Sequence, residues 1–158
     1  MIDLDVIGIR LASPEDIPVL LLRESGGTRL LPIWISTVDA AAIAIVLDDS
    51  EQFHRPMTHD LLANVLDEVC AGKPGVVKIT EMRDGVFFAS VTAGDFVFDA
   101  RPSDAIAAAL RLEWSIECPE QLMDQVGVEV DESETDEVEK FREFLDTVTP
   151  DDFENENS

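Results

Sequence analysis

Two short stretches hold residue types that can do chemistry. DARPSDAIAAALR (99–111) sets Asp99, Arg101, Ser103 and Asp104 ahead of an alanine-rich run. RPMTHDLLANVL (55–66) sets Arg55, Thr58, His59 and Asp60 ahead of a leucine-rich one. Asp60, Asp99 and Asp104, if gathered at one point, would hold a divalent cation such as Mg or Mn. Arg55 and Arg101 would grip a phosphate through paired hydrogen bonds. The hydroxyls of Thr58 and Ser103 would add donors to the same phosphate. His59, the imidazole of the second stretch, would activate water as a general base, with Asp60, Asp99 and Asp104 as the carboxylates of the catalytic group. Such a set is suited to phosphodiester hydrolysis.

The same residues have structural uses. Thr58 and Ser103 are good helix N-caps. Asp60 and Asp104 favour the positive end of a helix, and Arg101 can pair with Asp99 or Asp104. His54 sits in a polar loop without a motif. Spacing alone leaves both readings open.

The elements that must position these residues follow from periodicity. Residues 2–11 alternate, but the apolar phase slips from Ile2, Leu4 and Val6 to Ile7, Ile9 and Leu11, which predicts a strand with a bulge near Gly8. Residues 18–23 and 28–35 form a second and third strand around the turn Ser25-Gly26-Gly27. Pro32, having no N–H, belongs at an edge or bulge. Ser36 caps a first helix, with Asp39 in a capping box and an apolar stripe of Ala41, Ala42, Ile45 and Val46. A second helix opens at Thr58 with Leu61, Leu62, Val65, Leu66 and Val69 as its stripe and ends at Gly72. Residues 75–82 and 86–92 make a hairpin around Arg83-Asp84-Gly85, and 96–101 follows as another strand. Period two sets Phe96, Phe98 and Ala100 on one face of it, and Val97, Asp99 and Arg101 on the other. A third helix spans about Ser103 to Leu112, then a short strand at 115–118 and a last helix at 119–126. Trp34 reads as core. The expected fold is α+β, a mixed and mostly antiparallel sheet with helices packed against it.

The 158 residues carry a formal charge of -23. Residues 1–128 hold 21 acids and 9 bases (-12), and residues 129–158 hold 13 acids and 2 bases (-11). The division predicts a domain over 1–128 and an acidic extension over 129–158. Within the extension, Val138, Phe141, Phe144, Leu145 and Val148 predict a helix at 136–148 that docks on the domain or on a second subunit, followed by a disordered end. Such acidity gives no basic footprint for DNA or RNA, and long-range attraction to them runs the wrong way. The start lacks the basic residues of a signal peptide, and no apolar run is long enough to span a membrane. Cys70 and Cys118 form no CxxC pair and read as reduced thiols. These features together predict a cytoplasmic protein.

LPIWISTVDAAAIA (31–44), RPMTHDLL (55–62) and DARPSDAIAAALR (99–111), in that order, resemble the bifunctional nuclease domain family over roughly residues 1–128. Acidic extensions of this kind occur in bacterial, particularly actinobacterial, members. The resemblance implies an α+β domain and a nuclease activity on DNA and RNA, a label taken from plant members. It carries over Arg55, Thr58, His59, Asp60, Asp99, Arg101, Pro102, Ser103 and Asp104 as motif residues, all of which match. Ser36 stands where the family commonly has Gly, and Asp39 where it has Glu. The expectation is a nuclease, metal-assisted, that forms a homo-oligomer, with a dimer favoured. The alternative is a non-enzymatic oligomeric binding or regulatory module that uses its acidic face and C-terminal helix.

Overall fold

The computed structural model describes residues 1–13, 15–48 and 55–130. The chain opens with β1 (Ile2–Arg10), β2 (Val19–Glu24) and β3 (Arg29–Trp34), then α1 (Thr37–Leu47) and α2 (Thr58–Val69). A meander of β4 (Val76–Arg83), β5 (Val86–Ala93) and β6 (Phe96–Ala100) leads into α3 (Pro102–Leu112). The described residues end with β7 (Ser115–Cys118), α4 (Glu120–Val126) and β8 (Val128–Glu129). The eight strands form one sheet in the order β6-β5-β4-β7-β1-β2-β3-β8. Only the β4–β7 pair is parallel, and its crossover runs through α3. The architecture is the expected α+β, with a mixed and mostly antiparallel sheet.

Local chemistry explains the strands. The β1–β2 register shifts between Val6 and Gly8, where the apolar phase slips, and Gly8 has φ 148, a value that needs glycine. Asp84 and Gly85 both have positive φ, as a tight β4–β5 hairpin requires. Pro32 pairs with Leu21 of β2, while β8 reaches only Arg29 and Leu30, so among the described residues no strand lies on the other side of Pro32. β8 itself was not expected: a two-residue strand has no periodicity to read, and Glu129 falls in the stretch assigned to the extension.

One face of the sheet carries the core. Leu4, Leu20, Leu22, Leu31, Val77, Ile79 and Ile116 meet Ile43 of α1, Leu66 of α2 and Ile106 of α3. α3 packs against α1, α2 and the sheet. Its run from Ala105 to Ala109 is buried throughout. A helix enclosed on three sides must be slim, and alanine permits the close approach.

Two stripes depart from expectation. α1 buries Ala40 and Ile43 rather than the set centred on Ala41 and Ile45. That helix is apolar nearly all round, so its pattern fixes no phase, and the actual phase turns Asp39 inward. α2 buries Ala63 and Leu66 but leaves Leu61, Leu62, Val65 and Val69 exposed. The helix starts also shift. The N-caps are Met57 and Arg101, so Thr58 and Ser103 lie inside their helices. Pro102 takes the first helical turn, where its missing N–H costs nothing. The segment 136–148 and His54 lie outside the described residues.

Candidate active site at three helix starts

Arg101 stands between β6 and α3 with extended backbone, φ -73 and ψ 144. Its guanidinium donates from Nη1 and Nη2 to the two Asp39 carboxylate oxygens, each at 3.1 Å. Nε donates to Asp104 Oδ2 at 2.8 Å. The other Asp104 oxygen meets His59 Nε2 at 2.9 Å. The starts of α1, α3 and α2 are thereby joined by one chain, Asp39–Arg101–Asp104–His59. The Asp39 backbone N–H donates to the Ser36 hydroxyl at 3.1 Å, so Ser36 caps α1 as expected. The Asp39 carboxylate, read from spacing as half of a capping box, serves Arg101 instead. A carboxylate at that position, immediately before the buried Ala40, was the signal available.

A second clamp lies beside the first. Arg111, in the last turn of α3, donates from Nε to Asp60 Oδ1 at 2.6 Å. It also donates to the carbonyls of Ala107 at 2.8 Å and Ala42 at 3.0 Å. The other Asp60 oxygen accepts from the Met57 backbone N–H at 2.9 Å, which closes the start of α2. Arg111 thus links α1, α2 and α3. Sequence reasoning passed over it because a lone arginine late in a helix looks like a dipole partner.

The remaining motif residues do not converge. Asp99 pairs in register with Ser90, while its neighbour Ala100 pairs with the buried Ala89. Asp99 therefore lies exposed on the sheet face turned away from the helices. Phe96 and Phe98 are on the opposite face, as period two requires. Arg101 leaves the strand and does not share a site with Asp99. Arg55 and Thr58 are exposed at the start of α2, and Ser103 is buried. Among the described residues no three His, Cys, Asp or Glu side chains form a group that could hold a metal ion. Asp60 turns to Arg111, Asp104 to His59 and Arg101, and Asp99 to the far face. This arrangement does not fit a cation shared by those three carboxylates.

The electrostatics follow the geometry. Arg101 is held above the usual arginine value, first by its bonds to Asp39 and then by those to Asp104. Burial pushes the Asp104 carboxyl upward, but its hydrogen bonds from His59 and Arg101 together prevail and hold it below its ordinary value. Asp104 is therefore ionised at neutral pH and can only accept. His59 Nε2 must carry the proton, and in the neutral ring Nδ1 keeps its lone pair. The linkage has a definite sign. A carboxyl with depressed folded pKa stabilises the protein above its unfolded value of 3.8, and that stabilisation is lost as pH falls through the folded value. Asp104→Asn is expected to cost about 1–3 kcal/mol at pH 7. The gap to wild type should close below pH 3.8 in denaturant unfolding monitored across pH. A gap independent of pH would contradict the ionic role. The cysteines are free and buried, and burial pushes the Cys118 thiol to about 11, which leaves it protonated and unreactive.

A cleft of about 650 Å³ opens at the Asp39–Arg101 end of the chain. Ser36 and Thr37 at the start of α1 and Pro102 and Ser103 at the start of α3 line it. Trp34, expected in the core, is half-buried and lines it too, with Phe87 and Ile17. Its charged residues are Glu15, Asp16, Asp39 and Arg101. His59 and Asp104 are not on its wall; they lie behind Arg101.

No helix among the described residues is long and apolar enough to cross a membrane. An uncharacterized protein of Mycobacterium tuberculosis strain CDC 1551 is 44% identical over 163 residues, covering 94% of this chain and 95% of its own length. An uncharacterized protein of strain H37Rv of the same species matches to the same extent. The family model described as the bifunctional nuclease domain matches residues 20–131, which include Asp39, His59, Arg101, Asp104 and Arg111. The chain belongs to the bifunctional nuclease domain family.

Proposed function

We propose that the chain hydrolyses phosphodiester bonds of nucleic acid, DNA, RNA or both, at the joined helix starts. The observation that carries this reading is the continuous Asp39–Arg101–Asp104–His59 chain, whose Asp39–Arg101 end lines the cleft. It draws on all three motifs of a family named for nuclease activity. Asp104 fixes the His59 tautomer, and Nδ1 accepts a proton from the attacking water. Arg101, whose side chain is 63% exposed, meets the phosphate. The starts of α1 and α3 favour an anion in the cleft as well. Asp39 and Asp104 hold the guanidinium in place. Against this stand the cleft's own acids, Glu15, Asp16 and Asp39, which repel a phosphodiester. Mg or Mn arriving with the substrate phosphate would offset that repulsion, so the proposal includes dependence on a divalent cation carried by the substrate rather than one held by Asp60, Asp99 and Asp104. In this reading the protein works in the cytoplasm and assembles with a second copy.

The test incubates the full-length protein with end-labelled single-stranded DNA and RNA across a Mg and Mn titration and with chelator. Cleavage by wild type, lowered about 100-fold or more in Arg101→Ala, is the expected result. Absence of cleavage with every cation, or equal cleavage by the variant, rejects the proposal. The acid excess in the cleft favours a second reading, a non-enzymatic oligomeric binding module, and that reading predicts no hydrolysis by wild type.

A further inference from the structure

The expected apolar stripe of α2 divides in two. Ala63 and Leu66 face the core, while Leu61 (59% exposed), Leu62 (37%), Val65 (50%) and Val69 (41%) face solvent. The start of β6 adjoins the end of α2, because a Cβ on Gly94 in the β5–β6 turn would lie 3.7 Å from the Val69 carbonyl oxygen. On β6, Phe96 and Phe98 share the helix-side face with the buried Ala93 and Val91 they pair with. Yet they are 58% and 43% exposed and stack on each other at 5.9 Å between centroids. β6 ends the sheet, and its outer backbone edge pairs with no strand among the described residues. An exposed apolar helix flank thus adjoins an open, aromatic sheet edge.

We infer that this α2–β6 face is where a second copy of the chain docks, β6 against β6 in antiparallel orientation. Two observations favour that occupant. First, the six exposed side chains present roughly 500 Å² of apolar surface, close to the roughly 450 Å² that the apolar share of a standard interface contributes per partner. Second, the strand is self-complementary. A two-fold axis at Phe98 sets Phe98 against Phe98 and Phe96 against Ala100. Each Asp99 then faces a Val97, so the acids are not opposed.

The experiment is sedimentation velocity on the full chain at micromolar concentration. Wild type should sediment as twice 17.4 kDa. Phe98→Glu and, separately, Val65→Glu should sediment at 17.4 kDa with unchanged circular dichroism, since both side chains are already half-exposed. Phe98→Cys gives an independent readout, because both native cysteines are buried. Its oxidised form should run as a disulfide-linked dimer on a non-reducing gel. A monomeric wild type, a dimer that survives both glutamate substitutions, or the failure of Phe98→Cys to cross-link would each overturn the assignment.

Discussion

Replacing Arg111 with alanine is expected to lower the thermal midpoint by about 10 °C. The side chain is 9% exposed and bridges α1, α2 and α3. Its removal takes one charged hydrogen bond from the Asp60 carboxylate and the side-chain donors from the Ala42 and Ala107 carbonyls. Removing the guanidinium from this part-buried pair, together with its two carbonyl bonds, costs about 3–5 kcal/mol, and in a chain of this size each kcal/mol moves the midpoint by roughly 2–4 °C. Arg111→Lys keeps the charge but loses the planar fork that reaches two carbonyls and a carboxylate at once, so it should recover only part of the loss. Calorimetry on the three proteins checks this. A shift under about 2 °C for the alanine variant would mean that the clamp contributes little.

His59→Ala is expected to lower phosphodiester cleavage by about 10²–10⁴-fold, the range in which a positioned general base acts. The effect on stability should be smaller than that of Arg111→Ala, because His59 offers one hydrogen bond to Asp104 where Arg111 offers three. Separating the two effects matters: loss of cleavage with a preserved melting profile identifies a chemical role. His59→Gln offers a further check, since an amide can still donate to Asp104 but cannot accept a proton at neutral pH. It should keep the fold and lose the activity.

Much of the fold was legible because each element had a local cause. The slipped phase around Gly8 became a bulge, Asp84-Gly85 became a hairpin turn, and Pro32 found the side of β3 that β8 does not reach. The alanine run of α3 announced a helix without saying why it had to be slim. What escaped was the rotation of helices about their axes. α1 is apolar on most sides, so its pattern did not reveal that Asp39 faces Arg101. In α2 every leucine and valine looked like core, yet four of them are exposed. The site suffered for the same reason. The motifs did mark the joined residues His59, Arg101 and Asp104. Their partners were set by tertiary packing: Asp60 went to Arg111, and the turn from β6 into α3 parted Arg101 from Asp99. A strand's alternation holds only while the strand lasts, and Arg101 lies just beyond it.

The doubled pattern of Arg-Pro, hydroxyl and aspartate also separates into two uses. At the start of α3, Arg101 and Asp104 belong to the chain that ends at His59. At the start of α2, Asp60 closes the helix and holds Arg111. Similar letters therefore serve a candidate chemical centre in one place and a structural clamp in the other, and His59 is the residue by which the second motif joins the first.

The measurement that bears most directly on this centre is the cleavage rate of one single-stranded oligonucleotide by equally pure wild type and His59→Ala, at the cation concentration that is best for wild type. Cleavage by wild type and a fall of about 10²–10⁴-fold in the variant, with the melting profile nearly unchanged, is the expected result. Equal rates for the two proteins would contradict it.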